Sequence, residues 1–225
     1  KFNSESFERK VIVNQEDSYR LDSLSTIYFN TDGIRYKNEI SYDENGNQTL
    51  YISYIWNSES QSFVPQNKLE DTYDENGNQT LRSQYYWISE SQSFDGILKS
   101  EHSFDENGNR TLWIHYNWNL ESQSFVPTSK FEYTYDENGN RTLSIYYLWD
   151  TESQSFVPSY KWESTYDENG NRIFGIRYDW DIESQSFVPS QKQEYSYDEN
   201  GNRTLSINYN WDTESQSFVP SQKQE

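Results

Sequence analysis

Between Arg203 and Trp211 apolar side chains fall on every second position, at Leu205, Ile207, Tyr209 and Trp211, with Thr204, Ser206 and Asn208 between them. Alternation with period two marks a half-buried strand, because successive Cβ atoms leave opposite faces of the pleat. The preceding stretch, SYDENGN, holds the residues of a tight turn. Asp suits the first position of a type I turn, Asn the third, and Gly the left-handed position that follows. The two features predict a hairpin in which Tyr197 faces Arg203, Ser196 faces Thr204, Tyr195 faces Leu205 and Gln193 faces Ile207. On that register Arg203, Leu205, Ile207, Tyr209 and Trp211 share one face with Phe187, Pro189, Gln191, Gln193, Tyr195 and Tyr197. Val188, Ser190, Lys192, Glu194, Ser196, Thr204, Ser206 and Asn208 take the other.

The same words recur. DENGN begins at Asp43, Asp74, Asp105, Asp136, Asp167 and Asp198, always 31 residues apart. Trp56, Trp87, Trp118, Trp149, Trp180 and Trp211 keep that spacing, and no insertion interrupts the six copies. A fixed period of this size is the signature of a repeat array. The segment WDTESQSF reads as the turn at the far end of each hairpin. The predicted fold is all-β: an antiparallel hairpin meander of 31-residue repeats forming a coiled β-solenoid or elongated array.

Aromatic rings of about 150–250 Å² each favour burial, so the aromatic face is expected to turn inside a coil or to pack on a second sheet. Residues 1–41 lack the motif and read as a degenerate N-terminal capping repeat, followed by six repeats over residues 42–225. SQKQE stops partway through a strand, and an unpaired edge is a liability, so the array is expected to continue beyond residue 225.

Composition agrees with strands. The chain has no Cys or Met, and aromatic residues make up 18%. A hydrophobic fraction of 32% with net charge −19 is typical of disorder, but disordered chains are poor in aromatics. The charge also argues against nucleic acid, whose binding needs a basic footprint. No apolar run approaches the roughly 20 residues of a membrane-spanning helix.

Candidate chemistry is sparse. The Asp residues that open the six turns (Asp43, Asp74, Asp105, Asp136, Asp167 and Asp198) would align along one edge as candidate calcium ligands. Gly at the fourth place of DENGN and the missing bidentate Glu depart from the calcium-loop pattern, and the turn itself explains each residue. The Trp ladder is assigned to packing, which leaves Trp113, on the opposite face, as the candidate exposed ring for a glycan. Arg110, Arg141, Arg172 and Arg203 are expected to cover Phe104, Tyr135, Tyr166 and Tyr197 as cation–π pairs at the rim. Only two histidines, His102 and His115, are present, and repeated carboxylates do not make one asymmetric site, so no enzyme is expected.

The Tyr-Asp-x-x-Gly-Asn core at each turn resembles the YD repeats of Rhs and teneurin proteins. The complete repeat, with W…FVPS.K.EY.YD after the turn, is similar to tandem arrays in large secreted proteins of Bacteroidetes, from Tyr42 onward. That resemblance implies export, by type IX secretion, to the cell surface or beyond. The expectation is a structural repeat shaft of a filament or adhesin, whose partners are neighbouring repeats and other copies of itself. A multivalent carbohydrate-binding module for surface glycans is the alternative.

Overall fold

A computed structural model describes residues 9–14, 23–29 and 35–225. The described residues are all-β, and their fifteen strands follow one another with each hydrogen-bonded to its chain neighbour. They are β1 (Arg9–Asn14), β2 (Ser23–Phe29), β3 (Arg35–Tyr42), β4 (Gln48–Asn57), β5 (Ser62–Tyr73), β6 (Gln79–Ile88), β7 (Ser93–Phe104) and β8 (Arg110–Asn119). The remainder are β9 (Ser124–Tyr135), β10 (Arg141–Asp150), β11 (Ser155–Tyr166), β12 (Arg172–Asp181), β13 (Ser186–Tyr197), β14 (Arg203–Asp212) and β15 (Ser217–Gln224).

The chain divides into two compact units, one running up to His102 and taking in His115–Pro127, the other made of Ser103–Ile114 and Thr128–Glu225. Within each, the substantial strand contacts run between chain neighbours, as in one layer of antiparallel sheet. Much of the expected N-terminal cap (1–8, 15–22 and 30–34) lies outside the described residues. β2 and β3 pair without a register shift, Tyr28 opposite Tyr36 and Ile27 opposite Lys37, unlike the repeats that follow.

The DENGN turn forms as predicted. Gly46 N–H donates to the Asp43 carbonyl at 3.1 Å, Asp43 N–H to the Asn47 carbonyl at 2.9 Å, and the other five turns repeat both bonds. Gly46 has φ +84°, and its five equivalents lie between +79° and +82°. That left-handed backbone is open to Gly without a Cβ penalty.

Past the turn the register departs from expectation by one residue. Tyr197 faces Arg203 as predicted, but Ser196 faces Leu205, Tyr195 faces Ser206 and Gln193 faces Asn208. Thr204 is an extra residue, bulged out of the outgoing strand. The same shift separates Gln79 from Leu81, Arg141 from Leu143 and Arg172 from Phe174. A second bulge sits on β11, where Tyr147 faces Pro158 but Tyr146 faces Tyr160, leaving Ser159 over. It recurs beside Pro65, Pro189 and Pro220. Proline has no N–H for a ladder, so strands tolerate it at edges and bulges.

Each bulge moves the residues beyond it to the opposite face. The first face therefore carries Lys192, Glu194 and Ser196 with Leu205, Ile207, Tyr209 and Trp211, and past the second bulge Pro189 and Phe187. The second carries Gln193, Tyr195, Ser206, Asn208 and Arg203. The division into one aromatic and one polar surface does not hold.

Neither is the aromatic surface hidden. Among the described residues Tyr133, 7% exposed, is the one hydrophobic side chain that counts as buried. All six periodic indoles are half-buried. Their cover comes from neighbours on the same face. Each Trp meets the following Phe edge-on, with centroids 4.9–5.1 Å apart at 70–74°. Such pairs add roughly 0.5–1.5 kcal/mol beyond their area.

Candidate functional site

The bulges bring three polar residues of each repeat together on the first face. The ammonium groups of Lys37, Lys68, Lys99, Lys130, Lys161 and Lys192 lie over the rings of Tyr54, Tyr85, Tyr116, Tyr147, Tyr178 and Tyr209, 3.9–4.9 Å from the centroids. The same ammonium pairs with the Glu two residues on, as in Lys68–Glu70 at 2.9 Å and Lys130–Glu132 at 2.7 Å. That carboxylate accepts the tyrosine hydroxyl, from Tyr116 to Glu101 and from Tyr147 to Glu132 at 2.7 Å, and from Tyr209 to Glu194 at 2.5 Å. The Lys also reaches the Phe one repeat further, 5.3 Å from Phe94 for Lys68 and 5.3 Å from Phe156 for Lys130. Sequence alternation missed this cluster because it set Lys and Tyr on opposite faces.

Burial raises the Glu39, Glu101 and Glu132 carboxyls, but bonds from the neighbouring Lys and Tyr outweigh it and leave them below the ordinary 4.5. Burial, and then the adjacent carboxylate, pushes the Tyr54, Tyr116 and Tyr147 hydroxyls well above the usual tyrosine range. Both directions favour an ionised Glu beside a neutral Tyr. This is a closed hydrogen-bonded set, with Lys stem laid on ring and charge answered by charge.

The second face is stitched by the tyrosine that precedes the turn, a position taken by Phe104 before Asp105. Tyr135 donates to the Arg110 carbonyl at 2.9 Å, Tyr166 to that of Arg141 at 2.9 Å, and Tyr197 to that of Arg172 at 3.0 Å. The arginines do not cover these rings as expected. Arg110 and Arg141 flank Tyr133 at 5.7 and 5.1 Å, and Arg172 and Arg203 flank Tyr195 at 5.1 and 5.4 Å. Arg141 and Arg203 thus reach the ring two residues before their own turn tyrosine, and Arg110 and Arg172 reach the same rings from the preceding repeat. This slot varies between repeats. Where Tyr133 faces Ser144 and Tyr195 faces Ser206, Asp71 faces Arg82 and is held by two bonds of 2.9 and 2.8 Å.

Trp113 is not the exposed ring anticipated. It is half-buried, with the Arg110 guanidinium 4.2 Å from its ring centroid and Phe131 at 6.0 Å. His102 sets Nδ1 3.1 Å from the Gln79 carbonyl.

The six turn aspartates are committed to their own turns. Asp136 Oδ1 accepts the N–H groups of Asn138 at 3.0 Å and Asn140 at 2.8 Å, and Oδ2 accepts Asn140 Nδ2 at 3.0 Å. Asp43, Asp74, Asp105, Asp167 and Asp198 repeat the pattern. The Asn side-chain bond, then the backbone donors, hold the Asp136 carboxyl below its usual range. Across the stack it is the Asn140 amide oxygen that approaches Gly170 of the next turn. Among the described residues no three His, Asp or Glu side chains converge as metal ligands.

At the opposite end of the hairpins lies an open cleft of about 760 Å³ between the β10–β11 and β12–β13 tips, with Trp149 and Trp180 in its lining.

No family model matches the chain, and no curated protein matches it. Solved structures do. A protein of unknown function from Bacteroides fragilis is 20% identical over 57% of this chain and 91% of its own, with a TM-score of 0.45. A DUF3836 family protein from Parabacteroides distasonis is 22% identical over 40% of this chain and 83% of its own, at 0.32. A TcdB2–TccC3–TEV structure is 13% identical, covering 91% of this chain and 15% of its own, at 0.19.

Proposed function

We propose that the chain is a structural repeat shaft of a secreted or cell-surface filament or adhesin, of the YDENGN-type tandem-repeat class of Bacteroidetes. The observation that carries this reading is reuse. One Lys–Glu–Tyr cluster recurs at a 31-residue interval, with tyrosine-to-carbonyl bonds that reach 25 residues back into the preceding repeat. Interfaces of that kind let an array grow by whole units, and stability becomes a sum of repeat and nearest-neighbour terms. A catalytic site concentrates difference in one place, whereas this chain repeats one set of contacts along its length. The net charge of −19 keeps such an array soluble.

The test is length. Arrays of four, six and eight repeats, measured by small-angle scattering and electron microscopy, should lengthen by roughly 10 Å per repeat, two strand spacings. A radius of gyration that grows only as a compact globule, about the 0.38 power of residue number, overturns the reading.

A further inference from the structure

The two ends of the hairpins differ. Toward DENGN the ladder between β11 and β12 runs from Tyr160 opposite Asp179 to Tyr166 opposite Arg172, broken by the one bulge at Ile173. Beyond Tyr160 the strands part. Ser155, Phe156, Val157 and Pro158 pair with β10, and Trp180 and Asp181 pair with β13. Pro158 has no N–H to give β12, and the bulged Ser159 interrupts the register. Adjacent hairpin tips are left standing apart, and the notch between them is the cleft of about 760 Å³.

Its chemistry is amphipathic. Trp149, Trp180, Val157 and Pro158 supply apolar walls, and Asp150, Ser159 and Gln185 line it with polar groups. Gln154 and Gln216 fold their amides back onto the Thr151 and Thr213 carbonyls at 2.8 and 2.9 Å, whereas Gln185 is part of the cleft lining. Ile182, 81% exposed, stands at the mouth.

The chain also shows what the notch accepts. In the second repeat Asp95 and Gly96 stand where Val157 and Pro158 stand here. A Cβ on Gly96 would fall 2.6 Å from Phe125 Cζ and nearer still to the Trp118 ring, so the equivalent indole occupies the space a side chain would take there. A ring fills that notch. Between Trp149 and Trp180 the same space is open.

We propose that this cleft binds a neutral polysaccharide, one pyranose ring seated against Trp149 and Trp180 with its hydroxyls bonded to Asp150, Ser159 and Gln185. A pyranose presents an apolar C–H face and a polar edge, which is the division the cleft offers. Charge selects for neutrality. Asp150, Glu152, Asp181 and Glu183 crowd the two tips of a chain carrying −19, which repels an anionic polymer and a second copy alike. Trp87 with Pro65 and Trp211 with Pro189 repeat the framing residues. Two strand spacings, roughly 10 Å or more, separate such positions, a step that a disaccharide unit covers, so one glycan chain can meet successive notches. The proposal does not depend on the shaft reading and can fail or stand without it.

The test uses the full chain, titrated with cellohexaose, laminarihexaose and mannohexaose, and with polygalacturonate and oligolysine as charged counterparts. The readout is the indole N–H resonances of Trp149 and Trp180. At least one neutral hexasaccharide is expected to shift both, saturably, while polygalacturonate leaves them in place. Val157→Asp with Pro158→Gly, a pair the chain already folds with at Asp95–Gly96, should close the notch and weaken binding there at least tenfold. Asp150→Asn, the residue found at Asn57 and Asn119, should weaken it about threefold without disturbing the tip. Indoles unmoved by all three neutral sugars, a response confined to polygalacturonate or oligolysine, or undiminished binding by the double variant each overturn the proposal.

Discussion

Six glutamines hold a left-handed conformation, which Gln154 and Gln216 brace with an amide bond to the Thr151 and Thr213 carbonyls. Gln61, Gln92, Gln123, Gln154, Gln185 and Gln216 have φ between 48° and 52°, where Gly or Asn is the usual occupant. The hairpin tip demands it. Asn57 pairs with Ser62, so four residues must reverse the chain, and the last of them turns left-handed. Local bonds hold the tip, with Ser153 Oγ on Asp150 at 2.7 Å and on Ser155 Oγ at 2.8 Å. Gln154→Val should lower stability by about 1–2 kcal/mol, because a β-branched side chain deepens the left-handed penalty. Gln154→Gly should change it by less than about 1 kcal/mol, relief of that penalty being offset by the backbone entropy of Gly. Equilibrium denaturation of both variants checks the pair, and equal effects would show that the tip stores no strain.

At the scale of the hairpin, the Lys–Glu–Tyr cluster joins strands through protons. Glu39, Glu101 and Glu132 titrate below 4.5 when folded, so their contribution is present above that value and is lost as pH falls through the lowered one. Tyr54, Tyr116 and Tyr147 titrate above 10.0 when folded, so theirs is full below pH 10 and fades as pH rises past it. Melting temperature against pH should form a plateau from roughly 5 to 9 with a fall on each side. Replacing these three tyrosines by Phe should flatten the alkaline fall and shrink the acid one without abolishing it, because the Lys bond to each Glu remains. An unchanged alkaline limb would remove the cluster from the account. The sequence made the period, the Gly-centred turn and the antiparallel meander legible, because each rests on a local residue preference. It hid the cluster, because that depends on two bulges. One is flagged by Pro158 and its equivalents. The other, at Thr204, carries neither Gly nor Pro, and a single unmarked residue was enough to exchange the faces of everything beyond it. For the same reason Trp113 was expected in the open and lies under Arg110.

For the whole molecule the repeat length should be a strict quantum. Removing residues 167–197, 31 in all, joins Tyr166 to Asp198 and restores YDENGNR. β11 then meets β14. Lys161 comes opposite Tyr209 and Glu163 opposite Ile207, as Lys192 and Glu194 now do. Ser164 meets Ser206 in place of Gly175, and a Cβ at Gly175 would lie 3.7 Å from Trp162, an ordinary contact, so the added side chain fits. Removing one residue fewer, 168–197, leaves Asp167 in the place of the turn tyrosine and slides β11 by one position. Every side chain of that strand then changes face, Lys161 leaves its tyrosine ring, and a charge enters the slot that donates to the preceding repeat. The shorter chain should keep the β-sheet circular dichroism and one cooperative unfolding transition, with a midpoint close to that of the parent. The chain only one residue longer should unfold at clearly lower denaturant or in two steps. Equal midpoints would mean that neither the lysine ladder nor the tyrosine stitch sets the register.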